Sequence, residues 1–433
     1  MRRPITAFFR FCLRIFFRRI ELMGLERVPR DGAVVFAVNH PNGLVDPLFL
    51  LCFAPARVSF LAKAPLFGYP IIGAIVRAFD TIPVHRKEES SGRSLAELNA
   101  EMFARAREIL QRGGGIAIFP EGTTHDDPHL RELKTGAARI ALGANVKATV
   151  VPTGIYYTAK HAFRSSALVL FGEPIAVEPV SVADERVPPH AEPPPDDVDG
   201  LTVAIEAGLD AVTLQAESHV ALDFISSAED IFSGDDEQPL IEEFDMRRRF
   251  LVAYHYLARR DPRRLKKLRH SMARLEAELR RAKLDVHELK PHIDARRLFR
   301  VLVLLPLALV GAAVHWPTFR LIDALAKRFA KGEGSMIATM KFLAALAFYP
   351  VTYITLALLV GWRFGVIAGG VALLAMPALG YLALRVLEDT DDVIGDLRAL
   401  LHRIFRSYGY SKLVARRAAI RDEMLNVARE MGR

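Results

Sequence analysis

The hydrophobic positions of this chain follow three different rhythms. Between residues 33 and 175, short runs that are apolar throughout alternate with stretches of helical period. The runs are Ala33–Val38, Ile116–Phe119, Ala148–Pro152 and Ala167–Gly172, and the helical stretches cover residues 94–112 and 135–144. Strands with no polar face are covered on both sides, so the pattern predicts an α/β layered domain. Proline and acidic residues crowd positions 178–200, which predicts a loop, and a helix is expected at about 201–216.

The second rhythm is a narrow seam. Leu265, Leu268, Met272, Leu275, Leu279, Ala282, Val286 and Leu289 alternate spacings of three and four. This predicts one long helix within a charged helical region, suited to a hairpin or coiled coil. In the third, Phe342–Trp362 and Phe364–Leu384 are apolar almost without interruption, with Arg363 between them. Each is long enough to cross a hydrocarbon core of about 30 Å, so a transmembrane helical hairpin is expected. Val301–Val314 is shorter and fits a half-embedded helix, a re-entrant piece or a third span; Arg320, Lys327, Arg328 and Lys331 beyond it would break the positive-inside rule if it crossed, which favours two full spans and a partial one over 300–316.

The first 22 residues differ again. Arg3, Arg10, Arg14 and Arg18 share one helical stripe, and five phenylalanines fall within residues 8–17. The segment is too short and too charged to span a bilayer, and it suits an amphipathic helix in the headgroup region. No small-residue cleavage site follows it, so no cleaved signal peptide is expected. The expected organisation is an interfacial helix (1–22), an α/β domain (23–216), a charged helical region (217–298), a membrane region (299–385) with spans at about 342–362 and 364–384, and a charged helical tail (386–433).

Composition narrows the function classes. Half of the 433 residues are hydrophobic (51%) and a quarter are charged (25%), which excludes a disordered chain and fits separate soluble and membrane parts. Two cysteines exclude a disulfide scaffold or a cysteine-built zinc site, and Cys12 and Cys52 lie among apolar neighbours as small hydrophobes. The net charge of +8 suits nucleic acid, anionic lipid or a phosphorylated substrate. The basic run 247–269 alternates with the leucine seam next to membrane segments, so lipid headgroups, and no nucleic acid, are the expected anionic partner.

Candidate chemistry lies where strands end. Asn39-His40 follows the first buried run and Asp46 follows after a glycine-containing loop. A carboxylate that accepts from one imidazole nitrogen fixes the tautomer and leaves the other as a base, although such a pair in a turn is commonly only a local hydrogen bond. Phe119-Pro120-Glu121-Gly122-Thr123-Thr124-His125 follows another strand, where a glycine, hydroxyls and amides can receive an anion. Arg86 ends the stretch from Asp80 and suits bidentate phosphate recognition, and Pro152 is expected to end its strand. His125, Asp126, Asp127 and His129 match no closed zinc spacing, so no metal is expected. Gly113-Gly114-Gly115 lacks the Lys-Ser/Thr of a phosphate loop, and no G-x-S-x-G appears.

Taken in order, Asn39-His40 with Asp46, Arg86, Phe119-Pro120-Glu121-Gly122 and Val151-Pro152 resemble the four sequence blocks of the glycerolipid acyltransferase family, whose members acylate glycerol 3-phosphate or 1-acylglycerol 3-phosphate. Phe60-Leu61-Ala62-Lys63 with Pro70 and Gly73 is similar to the segment between the first two blocks, and the likeness covers about residues 20–215. It implies a glycerolipid acyltransferase-type layered αβ fold, with His40 as general base and Asp46 as its partner. It implies acceptor binding by Arg86, Glu121, Gly122 and Thr123, with Lys63 adding charge. It further implies no cofactor, acyl-CoA or acyl carrier protein as donor, membrane lipid as partner, and a cytoplasmic face of the inner membrane as location. Five residues separate His40 from Asp46 where the family usually has four. With His125, Lys134 and the stretch Phe119–Ala144, this resembles the branch of fungal glycerol-3-phosphate/dihydroxyacetone-phosphate acyltransferases and their bacterial relatives. A membrane-anchored lipid-binding scaffold of the same fold and a phospholipid transacylase are the alternatives.

Overall fold

Ala33–Val38 forms strand β2, and all six of its residues are buried. The computed structural model describes residues 2–85, 94–179, 192–233, 238–289, 294–330 and 334–432. Around β2 lies an eight-stranded mixed sheet, the other strands being β1 (Arg19–Met23), β3 (Val58–Lys63), β4 (Ile82–Val84), β5 (Gly115–Ile118), β6 (Ala148–Tyr157), β7 (Ser166–Phe171) and β8 (Ile175–Val177). The spatial order is β1-β7-β6-β2-β5-β3-β4, with β8 also paired to β6. β2 runs parallel to β5 and β6, and β3 runs parallel to β4 and β5, so these strands point their C-terminal ends the same way. Such an edge is where an open α/β sheet presents its ligand crevice.

Helices α4 (Leu95–Gln111), α5 (Gly136–Leu142) and α6 (Pro195–Val212) cover one face through Phe103, Ala106, Leu110, Ile140, Ile205 and Leu209, which share a core with Val35, Ile116 and Val150 of the sheet. Ser94 caps α4 by accepting the Glu97 N–H. Helix α1 is shorter than the expected residues 1–22: it spans Arg2–Phe16, and positions 19–22 belong to β1, paired in parallel with β7. The alternation Arg19-Ile20-Glu21-Leu22 is masked in the sequence by the phenylalanine-rich run before it. Pro152 lies inside β6 rather than at its end. β8 pairs with residues up to Val150 and β7 begins at Thr153, so the missing proline N–H falls in the gap between two partners.

Contacts divide the chain into two units, Met1–Gln215 with Ala330–Phe342, and Ala216–Phe329 with Leu343–Arg433. In the second unit α7 (His219–Phe232), α8 (Leu240–Arg260), α9 (Pro262–Ala282) and α13 (Ser407–Met431) share one core, so the helical region and the tail, expected as separate pieces, pack together. The predicted seam helix stops early. α9 ends at Ala282, Lys283 takes the left-handed conformation (φ 55°), and Val286 and Leu289 lie beyond the break. Arg417, buried in this bundle, donates to the carbonyls of Ile231, Ser233 and Val286 at 2.6–3.2 Å.

Among the described residues three helices, not two, are long and apolar enough to cross a membrane: α10 (Ala295–Phe329), Met336–Phe364 within α11 (Gly334–Phe364), and α12 (Val366–Phe405). The short apolar run at 301–314 misleads because its helix continues through Pro317 to Phe329. Glycines allow close approach here, Gly311 facing Leu379 and Ala383. His315 Nε2 meets the Tyr353 hydroxyl at 3.0 Å, and the Thr318 and Thr352 hydroxyls pair at 2.8 Å.

Candidate active site

The site begins with the end of β2. Its pairing with β6 continues one step through a side chain, since Asn39 Oδ1 accepts the Ile155 N–H (2.7 Å) and its Nδ2 donates to the Ile155 carbonyl (3.1 Å). The amide thus replaces a peptide unit and sets where His40 leaves the sheet. The chain then folds into a turn that leads into α2 (Val45–Phe53). The Asn42 N–H donates to Asp46 Oδ2 at 2.7 Å, and the Asp46 N–H returns to the Asn42 carbonyl at 3.2 Å. This turn takes up the extra residue between His40 and Asp46, and His40 Nδ1 lies 2.9 Å from Asp46 Oδ2.

Asp46 is completely buried and uses its remaining oxygen to accept the Tyr157 hydroxyl at 2.6 Å. Burial pushes the Asp46 carboxyl above the usual range, opposed by hydrogen bonds and charge from His40, Tyr157 and the Asn42 amide. Burial also raises the Tyr157 phenol well above its ordinary value, so the tyrosine stays a donor. An ionised carboxylate only accepts, so Nδ1 of the imidazole is the donor and, in the neutral ring, Nε2 is the base. Among the described residues no protein group bonds Nε2, and the ring, stacked on Phe119 with centroids 4.0 Å apart, remains 15% exposed.

Tyr157 escaped the sequence reading. It lies 111 positions from Asp46, on a strand whose visible signal is only its apolar beginning. Its ring rests against Phe17 and Phe49, which fix the hydroxyl's direction. Tyr157→Phe removes one of three donors to a buried carboxylate, and a kcat about tenfold lower with unchanged KM values is expected. Steady-state kinetics on the two proteins check this.

The second loop leaves β5. A turn joins the Gly122 N–H to the Phe119 carbonyl at 2.9 Å, and Gly122 takes φ +70°. A side chain there would meet Lys134, whose Nζ lies 2.5 Å from the place of a Cβ. Lys134 is itself tied to the turn by its N–H, which donates to the Pro120 carbonyl at 2.8 Å, while its side chain stands exposed. Glu121 points inward. Its carboxylate accepts the His40 N–H (3.2 Å), the Arg131 N–H (3.0 Å) and His125 Nε2. Arg131 in turn bonds Asp127 at 2.6 Å, and this bond holds the Asp127 carboxyl below the usual range.

The structure therefore brings His40, Asp46, Phe119, Glu121 and His125 into one network, with Asn39 supporting it and Gly122, Thr123 and Lys134 at its edge. Lys63 stands exposed at the C-terminal end of β3, two strands from β2. Pro152 is paired with Ala37 beneath the site, and its carbonyl accepts the Gly172 N–H. Arg86 lies outside the described residues. Burial raises the Cys12 thiol to about 11 and the Cys52 thiol to about 12, so neither is an active nucleophile. Among the described residues no group of three or more His, Cys, Asp or Glu side chains could hold a metal ion.

A third segment reaches the turn from far along the chain. Thr339 Oγ1, near the start of α11, accepts the Leu44 N–H at 2.9 Å. Gly43 lies so close that a Cβ there would be 3.0 Å from Thr339 Oγ1 and 3.2 Å from Met336 Sδ.

Two family models match the sequence. One, described as Acyltransferase, matches residues 19–156, and the other, described as Glycerol-3-phosphate acyltransferase 2 C-terminal domain, matches residues 233–432. Glycerol-3-phosphate O-acyltransferase 1 of Saccharomyces cerevisiae is 29% identical over 96% of this chain and 69% of its own length. Glycerol-3-phosphate O-acyltransferase 2 of the same yeast is 30% identical over 60% of this chain and 38% of its own. The chloroplastic 1-acyl-sn-glycerol-3-phosphate acyltransferase LPAT1 of Arabidopsis thaliana is 30% identical over 33% of this chain and 38% of its own.

Proposed function

Because the chain belongs to the glycerolipid acyltransferase family and is an O-acyltransferase of phospholipid synthesis, we propose that it acylates a hydroxyl of glycerol 3-phosphate, with His40 as general base and an acyl thioester of CoA or acyl carrier protein as donor. The observation that supports this most is the His40–Asp46 bond at 2.9 Å with Nε2 left open to the crevice. Asp46 holds the imidazole by Nδ1–H. Nε2 takes the proton of the acceptor hydroxyl, whose oxygen attacks the thioester carbonyl. The C–S bond then breaks, and the imidazolium returns the proton to the leaving thiolate. No acyl-enzyme is needed, and no cofactor takes part.

Each other residue has a separate task in this reading. Glu121 is a positioning residue, since its carboxylate is occupied by three protein donors and holds the His40 backbone. His125 orients Glu121. The acceptor phosphate is received by Gly122 and Thr123 of the turn and by the ammonium of Lys134, which has no acidic partner among the described residues. Lys63 adds charge farther along the same edge of the sheet, at the end of β3. Lys134→Gln is expected to raise KM for glycerol 3-phosphate about tenfold while KM for the thioester stays unchanged, because a charge-assisted bond to phosphate is lost. Initial rates with each substrate varied in turn check this.

The acceptor is supported as glycerol 3-phosphate by similarity that runs through the helical half of the chain to yeast enzymes of that name. The 1-acyl derivative is the second reading, favoured by likeness of the sheet domain to LPAT1. Assaying the purified protein with both acceptors side by side separates them, and a clear preference for the 1-acyl compound would reverse the order. The site works at a membrane surface. Exposed Phe8 and Phe11 on α1, flanked by exposed Arg3, Arg10 and Arg14, suit the headgroup region, with the sheet domain on the cytoplasmic face.

A further inference from the structure

The turn between His40 and Asp46 sets the carboxylate against the imidazole, and the Leu44 N–H on it takes its partner from outside the turn. Support comes from α11. Thr339 is 4% exposed, and its hydroxyl accepts the Leu44 N–H just before the first turn of α2. Without that oxygen the N–H of half-buried Leu44 loses the acceptor it has here. The contact extends over about two turns of the helix, from Met336 to Phe342. Gly43 packs against Met336 and Thr339, the Lys341 ammonium donates to the His161 carbonyl at 3.2 Å, and Phe342 packs against Phe9 and Phe16 with ring centroids 6.5 and 5.9 Å away. Residues Ala330–Phe342 accordingly group with the sheet domain, although the same helix goes on to Phe364 as a candidate membrane span.

We propose that the start of α11 is a structural part of the catalytic site, and that Thr339 is a positioning residue which holds the Gly43–Asp46 turn in the register that keeps Asp46 on His40. This rests on the reading of His40 and Asp46 as the catalytic pair. Because the turn is held by the first turns of a helix that runs on into lipid, the alignment of the base depends on that helix being seated. The sheet domain is thereby not a self-sufficient catalyst on which membrane helices are a mere anchor.

The test uses the full-length protein reconstituted in phosphatidylcholine–phosphatidylglycerol vesicles, with Thr339→Val, Thr339→Ser, Gly43→Ala and His40→Ala alongside the wild type. Thr339→Val keeps the shape and removes the acceptor oxygen. Losing one hydrogen bond of this kind is expected to lower kcat about tenfold with both KM values unchanged. Thr339→Ser restores the oxygen and should return kcat to within about twofold of the wild type. Gly43→Ala forces the helix and turn apart and should lower kcat as Thr339→Val does, which gives a second reading if the valine variant fails to fold. If His40→Ala is inactive while Thr339→Val and Gly43→Ala match the wild type, the inference falls and the catalytic reading stands. If His40→Ala keeps wild-type activity, the catalytic reading falls and the inference goes with it.

Discussion

His40→Ala will lower kcat by about a thousandfold, within the range that a positioned general base contributes, and will leave the protein folded and membrane-bound. The size follows from geometry. Among the described residues of this network, Nε2 is the basic atom that the structure both orients and leaves open, since Glu121 and Asp127 are occupied by donors and the tyrosine at 157 stays protonated. The ring is also a small part of the fold. It is 15% exposed, stacks on Phe119 and makes one side-chain hydrogen bond, so truncation leaves a small partly solvated gap and no stranded charge other than Asp46. A transfer assay with purified protein, paired with a thermal unfolding curve, checks both halves. Activity within tenfold of wild type would remove His40 from the mechanism.

Asp46→Asn is the second large effect, and it differs in kind. The carboxylate accepts from three donors in a fully buried place. An amide has the same shape but one end becomes a donor: turned toward Asn42 it faces the Asn42 N–H, and turned toward Tyr157 it makes the phenol oxygen accept and takes from the phenol hydrogen the acceptor it had. A buried donor left in that state costs about 1–3 kcal/mol. The imidazole also loses the acceptor that fixes its tautomer, and Nε2 becomes the protonated nitrogen for part of the time. The expected result is a kcat lower by about two to three orders of magnitude together with a Tm that falls by several degrees, as a loss of about 1–3 kcal/mol implies. The contrast with His40→Ala is the diagnostic: one change reduces chemistry alone, the other reduces chemistry and stability. Equal Tm values for Asp46→Asn and wild type would mean that the carboxylate is not the hub of the turn.

What could be read in the sequence was what is local. Val34, Val35 and Phe36 declare a buried strand because three apolar neighbours in a row leave no polar face, and a histidine just past such a strand must emerge at the sheet's edge. The loop after Phe119 is legible for the same reason. Tyr157 and Thr339 were not legible, because a hydrogen bond between positions more than a hundred residues apart leaves no spacing to detect. The family resemblance assigns Glu121 to acceptor binding, and nothing local in the sequence shows which way its carboxylate faces. Its inward direction is set by the Arg131 backbone and His125, which meet it only after the loop has closed. Pro152 and the β1 strand failed on a different ground. A proline inside a sheet is tolerated only where a partner strand is missing, and that gap is a property of the assembled sheet.

The bond from Leu44 to Thr339 joins positions 295 residues apart. On a ribosome adding about 5–20 residues each second, Thr339 is made roughly 15–60 s after Leu44. The sheet can fold during that interval, but the turn beside His40 waits for a helix that does not yet exist. If Thr339 holds the turn as proposed, the growing chain gains that support only when α11 has been synthesised, by which time α10, the earlier of the apolar helices, is already complete. On the proposed role of Thr339, an unfinished chain that lacks α11 is expected to transfer acyl groups about tenfold more slowly than the complete one.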